Sequence, residues 1–256
     1  MKLKYSPIYA TMLTAAIVSH AETPIEEIVV TAQLRAVTLL EDSNSTSVLT
    51  EASIRNEAAQ HLEDVLGLIP NVNFASGSSR ARFFQIRGIG ERSQFQEPVN
   101  PSVGLMVDDV DFSGIGTIGT LFDVKQVEVL RGPQGTLHGA NALAGLINIR
   151  TNDPSDAPYN RLEASAGDYD TWSLGFVSSG PISDAVGYRF ALQQFSSDGY
   201  TQNNFLNRDD TQEKDELTLR GKLRWDMSER HQLDLTATYV DVANGYDAFS
   251  LDNVRD

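Results

Sequence analysis

From Leu217 to Trp225 the chain alternates without a break. Leu217, Leu219, Gly221, Leu223 and Trp225 fall on one side, and Thr218, Arg220, Lys222 and Arg224 on the other. Successive side chains of a strand point to opposite faces, so this stretch is a strand with one apolar face and one charged face. Four neighbours repeat the pattern. Leu162, Ala164 and Ala166 alternate with Arg161, Glu163 and Ser165; Trp172, Leu174 and Phe176 share a face, as do Tyr188, Phe190 and Leu192. Leu233, Leu235, Ala237 and Tyr239 alternate with Gln232, Asp234, Thr236 and Thr238. Strands of about ten residues built this way suit a membrane barrel, with lipid outside and water within. A soluble antiparallel sheet with one wet face alternates likewise. Trp172, Trp225 and Tyr239 near strand ends favour lipid, and so do the short links at 181–185 and 228–231 set against a long polar link at 197–213.

Composition narrows the alternatives. Asp+Glu 35 against Lys+Arg 20 leaves a net charge of −15, the wrong sign for a nucleic-acid binder. With no cysteine, neither a disulfide framework nor a thiolate metal site is available. No apolar run reaches the roughly 18 residues of a membrane helix, so a membrane role must use strands. Lys2 and Lys4, a mostly apolar stretch at 8–18 and Ser19-His20-Ala21 have the layout of a secretory signal peptide cut after Ala21.

Before the alternating strands the texture is that of a compact mixed domain. Residues 26–32, Glu26-Glu27-Ile28-Val29-Val30-Thr31-Ala32, favour extended structure through their β-branched run. Such a peptide can add as an edge strand to a partner; an ordinary N-terminal strand or a disordered leader fits equally. Residues 33–46 read as a linker. Ile54, Ala58, Leu62, Val65, Leu66 and Ile69 recur at helical spacing and predict a helix over 48–69, capped by Thr50 or Ser53 and ended by Pro70. His61 on it reads as a surface or packing residue. Short strands follow at 71–74, 83–87 and 103–107, the last stopped at Asp108-Asp109. Asp108, Asp109 and Asp111 lack calcium-loop spacing and read as solvated carboxylates around a turn. Residues 121–154 read as strand, glycine-punctuated turn and strand, with Gly132, Gly135, Gly139 and Gly145 supplying the turn.

The block Val-Glu-Val-Leu-Arg-Gly-Pro-Gln-Gly-Thr-Leu at 127–137, with Leu-Ile-Asn-Ile at 146–149, resembles the plug-domain hallmark of TonB-dependent outer-membrane receptors. Residues 26–32 are similar to that family's TonB box, and Phe84-Gln85-Ile86-Arg87-Gly88 to its Ile-Arg-Gly strand. Leu62-Glu63-Asp64-Val65-Leu66 and Ile69-Pro70-Asn71-Val72 resemble its first helix and turn. The motifs occur in the family's order over nearly the whole chain. Two positions depart from the pattern: His138 stands where a tyrosine is common, and Ala144 where a glycine often sits.

The resemblance implies an α+β plug domain inside a roughly 22-stranded antiparallel transmembrane β-barrel. The division it implies is signal peptide 1–21, TonB box and linker 22–46, plug 47–154, and about five opening barrel strands in 155–256. Five strands cannot close a barrel, and open edges in hydrocarbon leave backbone groups unsatisfied, so the chain reads as the front part of a longer receptor or a truncated product. The implied partners are TonB with its inner-membrane energising complex, meeting Glu26, Glu27, Ile28, Val29, Val30, Thr31 and Ala32, and outer-membrane lipid. By the same resemblance Arg87 and Arg131 pair with barrel glutamates in later strands. The linking loops place Arg80, Arg82, Gln94 and Phe95 as candidate ligand contacts. The implied cargo is an iron–siderophore complex, carried as ligand and not as cofactor; cobalamin, haem and oligosaccharide are the alternatives, and a non-transporting plug-containing protein is the rival reading. No zinc-protease, nucleophile-elbow or phosphate-loop motif is present, so the chain does not read as an enzyme.

Overall fold

The computed structural model describes residues 28–32, 37–76, 80–93 and 95–246. The expected signal peptide, Glu26, Glu27 and Gln94 lie outside them. In chain order the elements are β1 (Val29–Val30), β2 (Val37–Thr38), β3 (Ser45–Thr50), α1 (Glu51–Asn56), α2 (Leu62–Leu66), β4 (Val72–Ala75), β5 (Phe83–Ile86), β6 (Ile89–Gly90), β7 (Val103–Val107), β8 (Val110–Asp111), β9 (Val124–Arg131), α3 (Gly135–His138) and β10 (Gly145–Thr151). Then come β11 (Tyr159–Ala166), β12 (Trp172–Ser183), β13 (Val186–Ser197), β14 (Lys214–Ser228) and β15 (His231–Val242).

The amino-terminal domain is organised on a five-stranded sheet of order β3-β9-β10-β7-β8. Its centre, β9 and β10, is nearly all buried because both faces are covered. Val127, Val129, Ile147, Ile149, Leu105 and Val107 join Ile54, Leu62, Val65 and Leu66 of the helices in the main core. On the opposite face Leu130 and Leu146 pack with Ala32, which arrives from the amino-terminal segment. The glycine-punctuated turn between β9 and β10 contains a single helical turn, α3, and Gly132 there takes φ +105°, a backbone conformation glycine reaches at little cost.

The single helix expected over 48–69 is not one helix. Val48 and Leu49 belong to β3, paired with Glu128 and Val127, and only from Glu51 does the chain coil. Thr50 caps α1 as expected, its hydroxyl accepting from the Ser53 N–H. Ala58 at φ +49° then breaks the run, and α2 starts afresh after His61. The expected linker is also partly structured, since Val37–Thr38 pairs with Val29–Val30.

Strands β11 to β15 form a separate antiparallel meander in sequence order, within a few residues of the bounds expected from alternation. Its burial is reversed relative to a water-soluble sheet. The polar side chains Ser173, Gln193, Glu216, Thr218 and Arg220 are buried, while Leu162, Leu174, Phe176, Trp225 and Leu235 are exposed. The buried face is the one turned to the amino-terminal domain.

Candidate functional site

Two features carry functional geometry: the seat of residues 28–32, and the charged seam between the amino-terminal domain and the meander. The segment at 28–32 lies across the second face of the central sheet. Val30 and Ala32 are buried. Its anchor is Glu128, a carboxylate with no exposed surface. The Thr31 N–H and hydroxyl donate to Oε1 at 2.8 and 2.9 Å, and the Ala32 N–H donates to Oε2 at 2.8 Å. From the sheet, Asn148 Nδ2 donates to Oε2 at 3.1 Å and Gln126 Nε2 to Oε1. Gln126 also donates to the Val29 carbonyl at 2.8 Å, and His138 Nε2 to the Ala32 carbonyl at 2.6 Å. A buried charge must find such partners, and here hydrogen-bond donors surround it.

The seam is a ladder of ion pairs between distant parts of the chain. Asp123, at φ +58° after the loop that ends at β9, takes Arg189 of β13 in a two-pronged pair at 2.6 and 2.7 Å. Arg161 of β11 meets Glu51 of α1 at 2.9 Å. Lys222 of β14 reaches Asp108 at 3.1 Å, and Arg224 reaches Asp153 at 3.2 Å. Burial alone would raise the Asp108 carboxyl, but Lys222 and the Thr151 hydroxyl and N–H hold it below its usual value. Asp108 is therefore not the solvated turn carboxylate expected. Arg220, almost wholly buried, donates from Nη1 to the Phe122 carbonyl at 2.9 Å.

One apolar knob sits in the ladder. The Phe122 ring packs on Val177 and Ala191 and lies over Gly175, where an added Cβ would meet it at 2.5 Å. Glycine at that position makes room for the ring.

The candidate ligand residues separate on inspection. Arg80, expected on an open loop, is 2% exposed. Its Nε donates to Glu216 of β14 at 2.7 Å and its Nη1 to Glu63 of α2. A guanidinium held by two carboxylates inside the seam is a structural cross-link, buried where the sequence suggests an open loop. Arg82 is partly exposed, 5.0 Å from the Phe83 ring and 3.9 Å from Glu97. Phe95 is exposed. His61 beside this cross-link is a packing residue: it is buried, with Nε2 donating to the Gly116 carbonyl at 2.8 Å. Burial and the Arg80 charge push its imidazole below the usual value.

Arg87 and Arg131 come together at the other end of β9. Arg131 is held by Pro70, Ser45 and Ser47 through oxygen atoms, while Arg87 is exposed at φ +53°. Burial, and then the charge of Arg87, lowers the Arg131 guanidinium. Neither forms an ion pair among the described residues. Glu128 and Asp123 are not among the site residues expected from sequence. Glu128 carried a usable signal, a carboxylate inside the apolar run Val127–Leu130, where a central strand has no wet face.

Comparison with known proteins places these features. Residues 38–146 match the TonB-dependent Receptor Plug Domain family model. The chain is 34% identical to the pesticin receptor of Yersinia pestis over 67% of its own length and 26% of that protein's. It is 27% identical to the vitamin B12 transporter BtuB of Vibrio vulnificus over 74% of its length and 30% of the relative's. The crystal structure of the ferric yersiniabactin uptake receptor FyuA from Yersinia pestis superposes with a TM-score of 0.70 at 28% identity, covering 78% of this chain and 32% of that one. The chain thus spans about a quarter to a third of the length of these relatives. Those relatives are receptors and transporters and not enzymes, and with the matched plug domain they place this chain in the family of TonB-dependent receptors.

Proposed function

We propose that this chain is the amino-terminal part of an outer-membrane importer that takes up an iron–siderophore complex with energy delivered by TonB. In this reading residues 1–21 are the export signal, 22–46 the TonB box and linker, 47–154 the plug, and 155–256 the opening strands of a roughly 22-stranded barrel. One observation carries it: the meander buries its charged face against the plug and turns its apolar face outward. That is the polarity of a wall between lipid and a filled lumen. Slipping β14 by one residue would turn Arg220, Lys222 and Arg224 to lipid, at about 2–4 kcal/mol each near the bilayer midplane, so the register is strongly specified.

Residues 26–32 are proposed as the segment that pairs with TonB. Arg82, Gln94 and Phe95 remain the proposed ligand contacts. Arg87 and Arg131, adjacent cations without a carboxylate among the described residues, are proposed to receive glutamates from later barrel strands. An iron chelate is favoured as cargo by the ferric yersiniabactin receptor's resemblance; the vitamin B12 transporter's keeps cobalamin as the second reading.

The test is growth of an iron-starved strain whose only importer is the intact receptor, supplied with ferric siderophores one at a time. Growth on one of them, lost on changing Val29→Pro while that complex still binds the cell surface, is the expected result. Proline removes an N–H that an added strand would use. Growth on none of them, with the same receptor feeding a cobalamin auxotroph on cobalamin, would overturn the iron assignment, and loss of surface binding as well would overturn the coupling role of 26–32.

A further inference from the structure

Resting on that reading, we infer that Glu128 is the positioning residue that sets how readily the TonB-facing segment is surrendered. Three donors of the segment (the Thr31 N–H, the Thr31 hydroxyl and the Ala32 N–H) converge on its two oxygens. All lie in two adjacent residues, 96 and 97 positions away in sequence. The remaining ties are to neutral partners: the two-residue ladder to Val37–Thr38, the Leu39 N–H on the Ile28 carbonyl, Gln126 on the Val29 carbonyl and His138 on the Ala32 carbonyl. Hydrogen bonds to an ionised acceptor are about twice as strong as neutral ones, so the carboxylate is the main clasp.

The geometry also ties the clasp to the plug's interior. Glu128 sits on β9 between β3 and β10, and Asn148 of β10 shares its Oε2 with Ala32. A shift of β10 relative to β9 changes how many donors compete for the same oxygen. A partner strand that claims the N–H groups of Thr31 and Ala32 must first take them from Glu128. The segment is thus held closed by one side chain whose other contacts are inside the plug.

Substitution of Glu128→Gln places an amide NH₂ among donors, since each hydrogen-bond contact to the carboxylate named above is a donor. Residues 1–256 hold no cysteine, so with any cysteine beyond them replaced by serine, Ile28→Cys carries the sole nitroxide. In the intact receptor in outer-membrane vesicles, with no ligand added, the mobile fraction of that label rises at least about tenfold in Glu128→Gln, as expected for losing charge-assisted hydrogen bonds. Affinity for the soluble periplasmic domain of TonB rises in step.

Thr31→Val, which removes one donor from outside the plug core, gives a smaller rise, and adds nothing in the Glu128→Gln background because the two share one interaction. An unchanged label in both variants, or full additivity between them, overturns the clasp. A mobile label without any TonB binding, in wild type as in the variants, leaves the clasp standing and instead defeats the TonB reading. If Glu128→Gln fails to assemble, Thr31→Val still decides through the label.

Discussion

Arg80 and Glu216 stand 136 residues apart in the chain, and the Arg80 Nε lies 2.7 Å from the Glu216 Oε1. The plug is thereby stitched to β14, the fourth strand of the meander, from a loop that follows β4. Glu63 completes the arrangement from α2, so one guanidinium joins three elements.

Removing the guanidinium leaves two carboxylates, Glu63 and Glu216, without their shared counterpart. Arg80→Met should destabilise the docked state by about 3–5 kcal/mol, whereas Arg80→Met with Glu63→Leu and Glu216→Leu together should cost much less. Urea unfolding of the receptor in detergent, followed by protease access to the plug, measures both.

The Phe122 knob predicts a steric result. Gly175→Val should cost about 1–3 kcal/mol, because the ring has no free side to move into, with Cβ contact at 2.5 Å. Phe122→Ala should recover part of that loss in the double variant. Simple additivity of the two costs would show that the contact is not made.

His61 gives a pH dependence whose sign is fixed by its burial. Its folded pKa lies below the ordinary value of 6.5, so the unfolded chain binds the proton more readily. The stability contribution is complete above pH 6.5 and declines as pH falls from there toward the folded pKa. Thermal midpoints should therefore drop between about pH 7 and pH 5 in the wild type, with a shallower drop in His61→Asn. Parallel curves for the two proteins would remove His61 as the cause.

The outward face of the meander makes the lipid prediction. Leu235 is 52% exposed and opposite Leu223, so Leu235→Arg should cost about 2–4 kcal/mol if it sits near the bilayer midplane. The yield of heat-modifiable, folded receptor in vesicles reports it. No loss on that substitution would argue that water, not hydrocarbon, covers this face.

Much of this was legible from local pattern, and the failures share a cause. Leu217 through Trp225 announces its strand because alternation is a property of neighbours in sequence. Val48 and Leu49 looked helical for the opposite reason: their true partners, Glu128 and Val127, are far along the chain, and only that pairing makes β3 a strand. Arg80 looked exposed because it follows a Gly-Ser stretch, while the two carboxylates that bury it come from α2 and β14. The seam is likewise invisible to local pattern: Asp108, Asp123 and Asp153 of the amino-terminal domain face Lys222, Arg189 and Arg224 of the meander, while Arg80–Glu216 has the opposite polarity.

The segment at 28–32 doubles as the roof over Leu130 and Leu146. Drawing it away wets two leucines and a carboxylate that otherwise see no solvent. Any force that lifts the segment therefore works uphill, and once it ends the same surfaces draw the segment home without a second input of energy.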